Sequence, residues 1–400
     1  MPVATHISEA MASSSFIRRM FEEGLMMKSR FGADNVYDFS IGNPDLEPPA
    51  KVARMLAAEG TEAKPGSHGY MPNAGYPETR AAMAKKVSGE QGVEIDAGRV
   101  VMGVGAAGAM NAVLKAVLSH GDEVLVSAPF FPEYAHYARN HGGILRSVPA
   151  KEDFSLDIAA IEAAISSKTA ALIINSPNNP TGKIYPAELL AELGAALTRA
   201  KARTGRAVLV IADEPYREIV YDNRKVAPIF PVWPDSVVVS SFAKNLSLPG
   251  ERIGYVVVNP ASSWAQELTD AVIFCTRVLG YVNAPATFQR IVAECWNEKV
   301  DYSSYLKRRN LLTGILDEAG IEYSVPEGAF YLFCKVPERR VTSGNPGDDA
   351  AFCDHLKANR VLGVPGKGFG KPGWFRLAYC VSEKTITLSR EAFKKARIEW

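Results

Sequence analysis

The stretch AALIINSPNNPTGK, residues 170–183, passes without a break from a continuous apolar run into a turn of asparagine, proline and glycine. Such a run suits a strand covered on both faces, because a half-exposed strand would alternate apolar with polar residues. Six more short runs share this texture: RVVMGV near 99, EVLVSA near 123, ILRSV near 144, AVLVIA near 207, SVVVSS near 236 and GYVVV near 254. Helical segments separate them. The expected fold class is therefore α/β, with a large domain built on a mostly parallel seven-stranded sheet sandwiched by helices. Open sheets of this kind bind ligands outside the carboxyl ends of their strands, which is where the polar turn at 176–183 would fall.

With 400 residues the chain is too long for one simple core, and a second, smaller domain is expected beside the large one. A content of 47% hydrophobic and 22% charged residues is that of an ordinary globular protein. The 45 basic and 44 acidic residues leave a formal charge of +1, so no electrostatic feature argues for nucleic acid or an anionic membrane as partner. No apolar run approaches roughly 18 residues, and the N-terminal segment is broken by charges, so neither membrane anchor nor signal peptide is expected. Cys275, Cys295, Cys334, Cys353 and Cys380 are odd in number, widely spaced and free of any CxxC pair. They read as reduced, mostly buried thiols of a cytoplasmic protein, and no metal site is expected.

From Ser13 to Phe31 the residues Phe16, Ile17, Met20, Phe21 and Leu25 recur at helical spacing and predict an amphipathic first helix. After about residue 295 the texture changes. DYSSYLKRRNLLTGILDEAG reads as a helix, and FYLFCKV and WFRLAYC as strands with a helix between them, which makes a smaller α+β domain. The expected boundaries are 46–290 for the large domain, and 1–45 with 291–400 for the small one. VTSGNPGDD, at 341–349, reads as a surface loop. The paired arginines at 18–19, 308–309 and 339–340 read as solvated faces.

Two further segments follow the apolar runs: ADEPYREIVYD at 212–222 and SSFAKNLSLPGERIGY at 240–255. A lysine at the rim of a sheet, such as Lys244, acquires a lowered pKa when partly desolvated and can condense with an aldehyde. Alone, each segment has a plainer reading. Lys244 could be a surface cation, Pro177, Pro180 and Gly182 could simply make a tight turn, and Asp213 or Glu214 could cap a helix.

Taken in order and with these intervals, SPNNPTGK, ADEPY and SFAKNLSLPGERIGY resemble the pyridoxal-phosphate-dependent aminotransferases of class I/II, fold type I, the aspartate aminotransferase superfamily. The likeness runs from IGNP at 41–44 to RLAYC at 376–380. It implies that Lys244 holds pyridoxal 5'-phosphate covalently and then moves a proton at the substrate Cα. Asp213 would face the pyridine nitrogen and keep it protonated. Tyr216 and Asn179 would hydrogen-bond the ring hydroxyl. Tyr134 would stack on the ring, its plainer role being that of a half-buried core tyrosine.

For the phosphate, the resemblance offers the N–H groups of Ala106 and Ala107 at the start of the segment VGAAGAMNAVLKAVL, with Ser241 and Arg252. Small residues there could equally serve close packing. In much of the family a hydroxyl or a lysine stands at or near Ala107, and an alanine offers no such side chain. Arg376 would grip the substrate α-carboxylate, with Gly42 giving backbone access or serving as a plain turn glycine. Tyr70 would reach the neighbouring subunit's cofactor phosphate, which implies a homodimer with a shared active site; otherwise it is a tyrosine of a Gly- and Pro-rich loop. Arg277 is a candidate reader of a distal carboxylate or a structural arginine near the interface.

The implied activity is ping-pong transfer of an amino group between an L-amino acid, aspartate as the guess, and a 2-oxo acid, with 2-oxoglutarate as the default. Two alternatives stand beside it. A lyase on the same fold would use the same cofactor for elimination or decarboxylation, and a transcription regulator could carry an aminotransferase-like effector domain. Against the second, IGNP begins only about 40 residues in, and the charge gives no basic footprint.

Overall fold

The computed structural model describes residues 3–5, 7–8, 11, 16–61, 65–339 and 348–400. A short strand β1 (Tyr37–Asp38) precedes the main sheet, which contains β2 (Val100–Val104), β3 (Glu123–Ala128), β4 (Ile144–Pro149), β5 (Thr169–Asn175), β6 (Leu209–Asp213), β7 (Ser236–Ser241) and β8 (Ile253–Val258). These are the seven apolar runs. Their spatial order is β2-β8-β7-β6-β5-β3-β4, and β8 alone is antiparallel to its neighbours. Strands β5 to β8 are buried at every position, whereas β4, on the edge, is largely accessible.

Two cores lie on the two faces of this sheet, and successive residues of a strand serve them alternately. Leu172, Val210, Val238 and Val257 pack against the helices at 77–91, 187–204 and 286–295. Ile173, Ile211, Val239 and Val256 pack against the helices at 105–117 and 265–278. Period-two pleating thus explains why the sequence shows no alternation: both faces are dry.

The C-terminal part forms a four-stranded antiparallel sheet, in the order β12-β13-β10-β9, from β9 (Tyr323–Ser324), β10 (Tyr331–Lys335), β12 (Val364–Pro365) and β13 (Trp374–Ala378). Strand β11 (Val361–Leu362) pairs in parallel with β1, which ties the N-terminal segment to this part. Its core joins Phe39 to Phe330, Phe352, Phe375, Tyr379 and Phe393, and takes in Tyr216, Ile219 and Tyr221 from the loop after β6.

Some expectations need correction. Arg308 and Arg309 are not solvated: both are buried, Arg308 bound to Asp45 at 2.5 Å and Arg309 to Asp222 at 2.6 Å. A sequence cannot show that an arginine on a helix faces a carboxylate more than 80 residues away. The first helix spans Phe16–Phe31, and the expected start at Ser13 lies outside the described residues, as do Arg340 and the loop positions 341–347. All five cysteines are buried and free.

Candidate active site

Strand β5 ends at Asn175, β6 at Asp213 and β7 at Ser241, and β2 leads directly into the helix that opens at Gly105. All four ends share one rim of the sheet, because only β8 runs the other way. Since β8 begins at that rim, the residue before it, Arg252, returns to the end of β7. A cavity of about 290 Å³ opens there, lined by Gly42, Ala106, Ala107, Phe131, Tyr134, Asn175, Asn179, Asp213, Tyr216, Ser241, Lys244, Arg252, Tyr331 and Arg376, among others. Eleven of the twelve site residues taken from the sequence therefore meet in one place. The twelfth, Tyr70, is 93% exposed and is not among the lining residues. Arg277 is likewise exposed and outside the cavity, its guanidinium 5.5 Å from the Phe274 ring.

Lys244 extends into this cavity and donates from Nζ to the Gly42 carbonyl at 2.7 Å. Burial pushes its ammonium down to about 8, and the nearby Arg376 and Arg252 guanidiniums push the same way against an opposing effect of Cys380. Gly42 is glycine for a steric reason, since a Cβ there would overlap the Tyr331 hydroxyl. Tyr331 in turn shares a hydrogen bond of 2.8 Å with the Tyr216 hydroxyl. Burial holds the Tyr216 phenol well above its usual range, so it stays a donor at neutral pH.

Asp213 is buried, and desolvation raises its carboxyl to about 6 while a hydrogen bond from Tyr134 pulls it down. The Tyr134 ring, expected to stack, meets Phe131 edge-on at 5.5 Å, and its hydroxyl is committed to Asp213. Phe131 presents an aromatic surface to the cavity that the sequence reading passed over. Asn175, also passed over, braces two of the expected residues. Its Nδ2 donates to the Asp213 carbonyl at 2.9 Å, and its Oδ1 accepts from the Asn179 backbone N–H at 2.7 Å.

Arg376 comes from β13, across the cleft. It is 2% exposed, donates to Asn179 Oδ1 at 3.0 Å and to the Ser40 carbonyl at 2.7 Å, and lies over the Tyr331 ring at 4.6 Å. Among the described residues no carboxylate pairs with it, and its Nε has no partner. A buried guanidinium without an anion is costly, and it suits a site that receives a carboxylate.

The other end of the cavity suits a phosphate. The helix at 105–117 starts with no side-chain cap, leaving its first N–H groups free at the positive end of the helix dipole. Gly105, at φ +64°, lets Arg252 close in: a Cβ there would stand 2.7 Å from Arg252 Nη2. Ser241 adds a hydroxyl. A buried amine of lowered pKa, a buried carboxylate, a free cation and an anion cradle together match the demands of pyridoxal phosphate and an amino-acid substrate.

Fold and site define an aminotransferase of fold type I. The chain matches the family described as aminotransferase class I and II over residues 34–393, and it belongs to that family. The probable aspartate/prephenate aminotransferase of Aquifex aeolicus is 31% identical over 379 residues, which cover 90% of this chain and 91% of that protein. The aspartate aminotransferase of Pyrococcus abyssi is 30% identical, with 96% of each chain covered. Among solved structures, an amino transferase from Eubacterium rectale superposes with a TM-score of 0.94 at 39% identity, over 100% of this chain and 99% of that one. The aspartate aminotransferase of Thermus thermophilus, crystallised with maleate, gives 0.87 at 26% identity, over 99% and 100%. These names do not favour the lyase alternative. No helix among the described residues is long and apolar enough to cross a membrane.

Proposed function

We propose that the chain binds pyridoxal 5'-phosphate and transfers an amino group between an L-amino acid, aspartate first, and a 2-oxo acid, 2-oxoglutarate first. The observation that carries this reading is the convergence of Lys244, Asp213 and the unpaired Arg376 on one cavity. The names of the relatives support the choice of aspartate.

When bound, the cofactor supplies an aldehyde carbon that takes up the amino group and a ring that delocalises charge from the substrate Cα. Lys244 is its covalent anchor. Ala106, Ala107, Ser241 and Arg252 hold the phosphate, Asp213 the ring nitrogen, and Asn179 and Tyr216 the ring hydroxyl. Burial lowers the Lys244 ammonium to about 8 in the cofactor-free chain, which favours an Nζ able to take a proton from the substrate Cα and to return one. Arg376, with backbone access at Gly42, fixes the α-carboxylate. Closing around these groups, the aromatic walls from Phe131, Tyr216 and Tyr331 exclude water, which strengthens each polar contact.

The expected boundary at 290 falls within the helix at 286–295, which packs on the main sheet, so the proposed units are 46–295, which holds the cofactor, and 1–45 with 296–400, which closes over the substrate. A homodimer is proposed because Tyr70, Phe274 and Val278 are exposed, and Tyr70 would enter the partner's site. The free thiols suit a reducing compartment, and the cytoplasm is the proposed location. A half-reaction screen tests the activity. The enzyme loaded with pyridoxal phosphate is mixed with single amino acids, and its visible absorbance band should disappear with aspartate as the 2-oxo acid forms. Release of ammonia or CO2 without that conversion would overturn the proposal.

A further inference from the structure

Behind the wall that carries Lys244, segments far apart in sequence meet in a half-buried cluster of charge. Lys86, on the helix at 77–91 and 8% exposed, lies 2.8 Å from Glu90 and 2.5 Å from Glu218. Glu218 uses the same oxygen, Oε1, to accept the side-chain amide of Asn245 at 2.9 Å. The Asn245 carbonyl accepts the Tyr302 hydroxyl at 2.9 Å. Asn245 is the residue after Lys244. Its own Oδ1 has no partner among the described residues, so the bond to Glu218 is what holds its side-chain amide, while Tyr302 holds its carbonyl.

None of Lys86, Glu218, Asn245 and Tyr302 lines the active-site cavity, and the reading above gives them no task. They are nonetheless close to it. A separate cavity of about 10 Å³ lies among Lys86, Glu218 and Asn245, and Pro215 borders both cavities. Burying an ammonium with two carboxylates is weak evidence for stability, since well-packed apolar residues would do as well or better. Such a cluster does specify position, because its partners must meet within hydrogen-bond distance. Position is what Lys244 needs: its side chain is long and flexible, and a reacting atom misplaced by about 1 Å can lose about a hundredfold in rate.

We propose that Lys86, Glu218 and Tyr302 are positioning residues that fix Asn245 and, through the chain, the direction in which Lys244 leaves its turn toward Gly42 and the cavity. The inference rests on the reading of Lys244 as the cofactor's anchor. Glu218 ties down the Asn245 side chain, Tyr302 ties down its carbonyl, and Lys86 holds Glu218 between the helix at 77–91 and the loop after β6.

The test uses cofactor-free protein and pyridoxal phosphate as the probe. Asn245→Ala should slow covalent capture, followed in the visible, by about tenfold, and Glu218→Gln, whose amide oxygen can still accept from Asn245 but which loses the ion pair with Lys86, should slow it less. Affinity for the amine form of the cofactor, which makes no covalent bond to Lys244, should stay within about twofold. Wild-type capture by Asn245→Ala overturns the proposal. So does an equal loss in capture and in amine-form affinity, which would mean that the cluster only maintains the shape of the site. If Glu218→Gln does not fold, Asn245→Ala decides, because it leaves the Lys86–Glu218 pair intact. Failure of the wild type to capture pyridoxal phosphate at all would instead overturn the cofactor reading.

Discussion

Replacing Lys244 by methionine in the cofactor-free protein keeps most of the side-chain volume and removes the ammonium. Burial holds that ammonium at about 8 in the folded chain, against 10.5 for an ordinary lysine. At about 1.4 kcal/mol per pH unit, the gap is worth about 3 kcal/mol. Between about 8 and 10.5 the unfolded chain keeps a proton that the native site has released, so this group makes wild-type stability climb with pH across that window. Below about 8 the full penalty is present, and the methionine variant lacks the climb altogether. Its stability relative to wild type is therefore most favourable near neutral pH and should fall by about 3 kcal/mol as the pH rises past 10.5. Loss of the bond to the Gly42 carbonyl adds an offset that does not vary with pH. Urea unfolding of both proteins at steps across this range measures the difference directly. A difference that stays constant with pH would refute the claim that Lys244 is held as a penalised, buried cation.

Arg376→Gln should lower kcat/KM for the amino donor by about 200- to 5,000-fold, the scale set by about 3–5 kcal/mol for breaking a buried ion pair. Half-reactions should show this loss for neutral and acidic amino acids alike, and little loss for an amine without the α-carboxylate. Tyr134→Phe removes the hydrogen bond that holds Asp213 down, so the carboxyl should titrate above its present value of about 6. Pyridoxal-phosphate affinity, which draws on the ionised carboxylate, should then have its midpoint at higher pH, as titration of binding against pH in both proteins would reveal.

The seven strands of the main sheet were legible because strands buried on both faces appear as uninterrupted apolar runs. The position of the ligand site followed from the polar turns at their ends. What could not be read was anything decided by the meeting of distant surfaces. FYLFCKV was recognisable as a strand, but that Tyr331 fills the space above Gly42 depends on how the C-terminal sheet docks against the segment at 40–42. Arg308 and Arg309 looked like a solvated pair for the same reason, since Asp45 and Asp222 reach them only in the fold. Phe131 and Tyr134 stand three residues apart on one short segment. Only Tyr134 has a hydroxyl to give, but sequence spacing does not show that Asp213 receives it or that Phe131 also lines the cavity. The cluster around Lys86 is a further case, with 132 residues separating Lys86 from Glu218.

The reversed direction of β8 has a consequence for how much change the chain tolerates there. Were β8 parallel to β7, its six residues would carry Arg252 about 20 Å away, to the opposite edge of the sheet. Instead, residues 242–252 form a hairpin loop whose feet, the end of β7 and the start of β8, are held together by the rungs Ser241 with Gly254 and Ser240 with Tyr255. A single insertion in LSLPGE would leave the pairing of β8 with β7 and β2 in register and would instead lengthen the loop, shifting Lys244 and Arg252 relative to each other. That loop works as a gauge block: its length sets the spacing between the lysine and the arginine, and engineering of the site should leave its residue count unchanged.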